Sequence, residues 1–214
     1  MLDTRNLDIP RFLSVLPLFS DLNPAEIERL AKGCTLRRVE RSEMVFRMGE
    51  PCESFHVVVV GQVKLFVLSP AGAEKVIELI GAGGSFAEAL MFLGKPCMVN
   101  AQALSDSLLL TVQRQAVLEE LERDSRFALR MLAGLSRRLH GLVQDVQAYA
   151  QQNGVQRVIG YLLRDLESAD GASGEVLTVS LPVSKATVAS RLSLTPEYFS
   201  RVLRELEVAK LIEV

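Results

Sequence analysis

Residues 185–204 leave the backbone few choices. They read Lys-Ala-Thr-Val-Ala-Ser-Arg-Leu-Ser-Leu-Thr-Pro-Glu-Tyr-Phe-Ser-Arg-Val-Leu-Arg. Val188, Ala189 and Leu192 give a short helix one apolar face. Ser193-Leu194 supplies a tight turn, Thr195 is a good N-cap, and Pro196 falls at the first helical position, where its missing N–H costs nothing. Phe199, Val202, Leu203 and Leu206 recur at the spacing of a buried helical face, while Glu197, Ser200, Arg201 and Arg204 share the opposite side. Cap, turn, core face and polar face all specify a helix-turn-helix.

The second helix of such a motif enters the major groove of DNA and presents its N-terminal residues to base edges. Glutamate can accept from cytosine N4, and arginine can grip guanine O6 and N7 with two bonds. Glu197, Ser200, Arg201 and Arg204 are therefore the candidate DNA-facing residues, with Thr195 at the cap and Lys185 placed to meet phosphate. The whole chain carries a net charge of −2, so it is no polycation. Between Ser184 and Arg204, however, four basic residues (Lys185, Arg191, Arg201, Arg204) face one acidic residue, Glu197. Such local charge gives non-specific, salt-sensitive affinity for DNA.

At 214 residues the chain has room for two domains. Cys34, Cys52 and Cys97 are far apart and form no CxxC, which suggests neither a zinc site nor a thioredoxin motif. The start, Met1-Leu-Asp-Thr-Arg-Asn6, lacks the basic-then-apolar pattern of a signal peptide, and no apolar run approaches the ~18 residues of a membrane span. A cytoplasmic location without membrane attachment is expected. No nucleophile elbow, P-loop or histidine–carboxylate metal triad is visible, so the chain is not expected to be an enzyme.

Residues 12–33 suggest short helices anchored by Leu16, Leu18, Phe19, Leu22, Ile27 and Leu30. From 35 to 112 the pattern is of short strands, with candidates at Leu36–Val39, Met44–Phe46, Phe55–Val60, Val63–Leu68, Val76–Leu79 and Leu108–Val112, broken by glycine and proline turns. This predicts an antiparallel barrel or roll. From 113 to 150 the chain turns helical. Ala128, Leu132, Leu135, Leu139, Leu142, Val146 and Tyr149 alternate steps of four and three, a heptad seam. At ~1.5 Å per residue this helix spans roughly 50 Å, more than covering a roll requires, so a homodimer interface is expected on Leu132, Leu135, Leu139, Leu142 and Val146. Beyond it, Val155, Val158, Ile159, Leu162, Leu163 and Leu166 form another apolar stripe, followed by a polar loop at 168–174 and a strand near Val176–Leu181.

In this order the motifs resemble those of the CRP/FNR transcription regulators over nearly the whole chain. Leu18-Phe19 with Leu22, Val45-Phe-Arg-Met-Gly-Glu50, Gly61-Gln-Val-Lys-Leu-Phe66 followed by Ser69-Pro-Ala-Gly72, and Gly84-Ser-Phe-Ala-Glu88 carry the resemblance. It implies an α+β fold. A cyclic-nucleotide-binding-type β-roll would occupy 1–112, a long dimerisation helix 113–150, and a winged helix-turn-helix 151–214, with the wing after Leu211-Ile212 cut short. Glu197-Tyr-Phe-Ser-Arg201 resembles the Glu-x-x-Ser-Arg signature of anaerobic-regulator recognition helices. That implies a palindrome of TTGAT-type half-sites, in which Arg201 reads guanine, Ser200 meets the neighbouring thymine or backbone, and Glu197 accepts from cytosine and braces Arg201. RNA polymerase is an implied partner if the protein is an activator.

The family's nucleotide binders use a glutamate for the ribose and an Arg-Ser pair for the phosphate. Glu88 is present, but Gly94-Lys-Pro-Cys-Met-Val-Asn100 supplies neither arginine nor serine, so cyclic AMP binding is not expected. The family's iron–sulfur sensors use a mostly N-terminal set of four cysteines, whereas residues 1–33 hold none. Phe86-Ala-Glu-Ala-Leu-Met-Phe92 and Ser136-Arg-Arg-Leu-His140 resemble the dissimilatory nitrate respiration regulators, which implies haem b and nitric oxide sensing. The expected effector pocket is Phe86, Glu88, Leu90, Met91 and Met98, with His140 as the haem ligand and His56 a weaker candidate. Two alternatives stay open: a cyclic-nucleotide-responsive regulator, and a thiol redox sensor using Cys97 or Cys52.

Overall fold

The computed structural model describes residues 7–16, 18–164, 181 and 184–213, and they fall into two compact units. The first unit opens with α1 (Ile9–Ser14) and α2 (Pro24–Lys32). Asn23 starts α2 by a capping box: its side chain accepts from the Glu26 N–H at 3.0 Å, and Glu26 accepts from the Asn23 N–H at 2.8 Å. Eight strands follow: β1 (Cys34–Val39), β2 (Met44–Phe46), β3 (Ser54–Val60), β4 (Val63–Leu68), β5 (Glu74–Ile80), β6 (Ser85–Phe86), β7 (Asn100–Ala103) and β8 (Ser107–Gln113). They form two four-stranded sheets, in the orders β1-β8-β3-β6 and β2-β7-β4-β5.

Burial decides the centre of the first sheet. β8 is buried from Ser107 to Val112, and β3 from Phe55 to Val58, because β3 lies between β8 and β6. The core of this unit gathers Phe19, Phe55, Phe86, Leu109 and Leu110. The expected α+β β-roll is thus present. α3 (Glu88–Leu93) follows β6, and β7 follows α3. The sequence pattern did not reveal β6, β7 or α3. β6 is two residues long, and Asn100-Ala-Gln-Ala103 lacks the β-branched and aromatic residues that mark a strand.

The helical stretch expected as one element at 113–150 is two helices, α4 (Arg114–Arg123) and α5 (Ser125–Gln151). Asp124 separates them in an extended conformation and accepts from the Arg126 N–H at 2.9 Å. Its carboxylate lets α5 start as a new helix rather than extend α4. α5 is anchored by Phe127 and Met131, which are buried in the first core. Gly134 allows a close approach, since a Cβ there would lie 2.6 Å from the Leu18 carbonyl oxygen.

Two buried carboxylates tie these helices together. Glu120 of α4 receives two hydrogen bonds from Arg29 of α2, at 2.6 and 2.7 Å. Glu26 of α2 lies 3.3 Å from Arg130 of α5.

The second unit contains α6 (Gly154–Arg164), α7 (Lys185–Arg191) and α8 (Pro196–Val208). Its core joins Val158 to Val188, Ala189, Leu192, Phe199, Val202, Leu203 and Leu206. Asn153 and Gln156 cap the start of α6 reciprocally, each side chain accepting from the other's N–H at 2.9 Å. The expected loop at 168–174 lies outside the described residues, as does nearly all of the expected strand at 176–181. Leu211 and Ile212, where the wing was expected to begin, follow α8 without regular secondary structure.

Candidate functional site

α7 and α8 form the helix-turn-helix as the sequence pattern requires. The Ser184 side chain caps α7 by accepting from the Thr187 N–H at 3.2 Å, and Val188 and Ala189 are buried. Ser193 takes a left-handed φ of 56° at the turn, and the Leu194 N–H returns to the Ala189 carbonyl at 2.9 Å. Thr195 caps α8 by accepting from the Tyr198 N–H at 3.2 Å, with Pro196 in the first turn. Arg157 of α6 donates to the Leu192 carbonyl at 2.7 Å, which fixes the turn against the unit's core.

This frame leaves Glu197, Ser200, Arg201 and Arg204 exposed on one side of α8, while Phe199, Val202, Leu203 and Leu206 are buried on the other. Lys185, at the first position of α7, is exposed, as is Thr195. The structure therefore brings Glu197, Ser200 and Arg201 together in the first two turns of α8, with Arg204 further along the same side. One neighbour was missed from sequence: the Tyr198 ring lies under the Arg201 guanidinium, with Cζ 4.9 Å from the ring centroid. An aromatic three residues before an arginine is the i, i+3 spacing that could have signalled it.

On α5, Leu132, Leu139, Leu142 and Val146 are exposed, and Leu139 and Val146 are each more than 60% accessible. Leu135 is half-buried against the first core. The face carrying Phe127 and Met131 is spent on the unit's own core, and the apolar stripe beside it is not.

The effector candidates in the roll line none of the three described cavities. Phe86 is buried, tilted against Phe46 and His56 with centroids 5.9 and 5.2 Å away. Met91 is fully buried, Leu90 is half-buried, and Met98 is 64% exposed. Glu88 is buried at the start of α3 and accepts a hydrogen bond from the Ser85 hydroxyl. Ala87, just before it, adopts φ 75°, a conformation that a Cβ disfavours and that glycine adopts freely. Lys95 is exposed beyond Gly94 and borders a cleft of about 320 Å³ with Glu53 and Arg114.

The two histidines differ sharply. His140 is exposed on α5. His56 is buried, its Nδ1 3.0 Å from the Thr111 hydroxyl, and its ring is packed against both Phe46 and Phe86. Burial, with Arg37 nearby, pushes its pKa down to about 4, so it is a neutral core residue. Neither histidine lines any of the three described cavities, and no cluster of three or more metal-binding side chains occurs among the described residues. His56, packed between Phe46 and Phe86 with its Nδ1 held by Thr111, is not open to a haem. The thiols are also poorly placed for sensing. Cys34, Cys52 and Cys97 are all buried, and burial pushes Cys34 and Cys97 up to about 12, where little reactive thiolate forms.

Comparison with known proteins follows this division. Residues 36–124 match the cyclic nucleotide-binding domain, and residues 156–214 match the Crp-like helix-turn-helix domain. The probable transcriptional regulator flp of Lacticaseibacillus casei is 28% identical over 203 residues, covering 94% of this chain and 89% of the relative. The crystal structure of DNR from Pseudomonas aeruginosa is 36% identical, covering 92% of this chain and 86% of that one, with a TM-score of 0.57. FixK2 from Bradyrhizobium japonicum shares the fold at a TM-score of 0.72 and 22% identity, covering 85% and 88% of the two chains. Among the described residues, no helix is long and apolar enough to cross a membrane.

The buried His56 predicts a pH dependence. Its folded pKa is depressed from 6.5 to about 4, so the unfolded chain takes up a proton first as the pH falls. Stability should decline between about pH 6.5 and pH 4 by roughly 1.4 kcal/mol per pH unit. Urea unfolding across this range should show that His56→Leu, although less stable near neutrality, lacks this part of the slope. An identical slope in the variant would mean that His56 protonates freely in the fold.

Proposed function

The chain belongs to the CRP/FNR family of DNA-binding transcription regulators, and on that footing we propose that it acts as a homodimer whose α8 helices read a palindrome of TTGAT-type half-sites. The observation that carries this reading is the exposed polar face of α8, with Glu197, Ser200 and Arg201 in its first two turns above a fully buried apolar face. Arg201 grips the guanine, Glu197 accepts from a cytosine, and Ser200 meets the adjacent thymine or backbone. Thr195 fixes the start of α8, and Lys185 and Arg204 neutralise phosphate.

The second copy is the occupant proposed for the apolar stripe of α5. Leu132, Leu139, Leu142 and Val146 recur at coiled-coil spacing and remain exposed after the roll has taken Phe127 and Met131. A dimer places two recognition helices about one turn of DNA apart.

The roll is the effector domain, and its ligand is not a cyclic nucleotide. A buried phosphate needs a guanidinium or comparable partner, and the segment 94–100 offers only the exposed Lys95. Glu88, the counterpart of the ribose-binding glutamate, already accepts from Ser85. Haem-based gas sensing, which the resemblance to nitrate respiration regulators implies, would need His56, buried against Phe46 and Phe86, or His140, exposed on α5, and neither borders a described cavity.

Arg201→Ala should cost about 1–3 kcal/mol on TTGAT-type DNA and relax preference at the guanine, whereas Lys185→Ala should weaken all sequences alike and flatten the salt dependence. Titration against cognate and scrambled duplexes checks this; equal losses on both for Arg201→Ala would overturn its role. Leu139→Glu should place like charges in the dimer seam at a cost of roughly 3–5 kcal/mol and abolish operator binding. Sedimentation that still finds a dimer would refute the seam. Calorimetry with micromolar cyclic AMP should show no heat of binding, and a saturable isotherm would restore the nucleotide reading.

A further inference from the structure

Tyr198 lies between two residues of different elements. It is half-buried and packs against the second core. Its far edge abuts the start of α6 so closely that a Cβ on Gly154 would fall 2.6 Å from Cε1, 2.9 Å from the hydroxyl and 3.0 Å from Cζ. Above the ring sits the Arg201 guanidinium, Cζ 4.9 Å from the centroid. The backbone N–H of Tyr198 is engaged separately by the Thr195 cap, so the side chain is not needed to start α8.

An unsupported arginine samples many rotamers and must be ordered before it can grip a base with two bonds. A ring under the guanidinium restricts the plane without consuming any of its five N–H donors, because the attraction is to the π face. Glu197 was expected to brace Arg201 from its own helix face. The ring can do so while leaving the glutamate's acceptors for a base.

We propose that Tyr198 is a positioning residue of DNA readout: wedged between Gly154 and Arg201, it holds the guanidinium in line with its base, and glycine at 154 is what leaves room for the ring. This rests on the reading that Arg201 contacts a base. It also makes the first residue of α6 a determinant of specificity, although Gly154 need not touch DNA itself. Alanine is compatible with helix at 154, and the clash it creates is with the far end of a movable side chain. Gly154→Ala should therefore shift the ring while the fold is kept.

The test is the ratio of affinities of the full chain for a TTGAT palindrome and for the same duplex with the guanine replaced, at one fixed salt concentration. Tyr198→Phe should leave the ratio unchanged. Tyr198→Ala and Gly154→Ala should each lower it about two- to fivefold, the scale of an exposed cation–π contact, with affinity for scrambled DNA unaltered. In an Arg201→Ala background, Tyr198→Ala should change the ratio no further. If Arg201→Ala lowers the ratio while both Tyr198→Ala and Gly154→Ala preserve it, the proposal is overturned and Tyr198 is packing alone. A ratio lost in Tyr198→Phe would overturn it too, by assigning the effect to the hydroxyl. If Arg201→Ala itself leaves the ratio intact, the base-reading assignment fails first and takes this inference with it. Circular dichroism of each variant separates these outcomes from unfolding; should Tyr198→Ala not fold, Gly154→Ala alone decides.

Discussion

A buried carboxylate needs partners for its oxygens, and Glu26 and Glu120 of the first unit each meet an arginine from another helix. Arg29 meets Glu120 through a two-pronged contact, and Arg130 lies beside Glu26. Each pair joins a different helix to α2, so α4 and the start of α5 are referenced to the same short element. Desolvating these charges has a cost, and such pairs are poor evidence for net stability. What they specify is orientation. With Arg130 tied to Glu26 and with Phe127 and Met131 sunk in the core, the first part of α5 is set in rotation, and Leu132 and Leu139 are left outside that core.

The second unit solves a different problem with little material. Its core is a handful of side chains from three short helices, and a 13-residue helix contributes four of the buried positions. Short helices are marginal without caps, and here α6, α7 and α8 each begin with a side-chain cap. Rigidity at the start of α8 matters most, because that is where the polar residues stand. The Arg157 bond to the Leu192 carbonyl and the returned Leu194 N–H hold the turn that aims it.

Much of this was legible in the sequence where chemistry is local. The helix-turn-helix could be read almost residue by residue, since the cap, the proline, the turn and the two faces all lie within twenty positions. β2 and β4 coincide with the runs of apolar residues that announced them. The break at Asp124 was hidden because helix-forming residues continue on both sides of it; only the N-capping character of aspartate marks it. The effector site was the least legible. Phe86 and Met91 look the same in sequence whether they line a ligand cavity or fill a core, and packing against Phe46 and His56 puts Phe86 in the core. Tyr198 was passed over for the same reason: from spacing alone it is one more aromatic beside a buried face, and its contact with Gly154 crosses between helices more than forty residues apart in the chain.

The reciprocal caps of Asn153 and Gln156 bear on how firmly α6 begins. Gln156, in the first turn of α6, gives its N–H to the Asn153 side chain, and the Asn153 N–H just ahead of the helix is taken by the Gln156 side chain in return. The start of α6 is thus fixed from within its own segment. The glycine that the Tyr198 ring abuts therefore sits inside a closed first turn and not at a loose helix end.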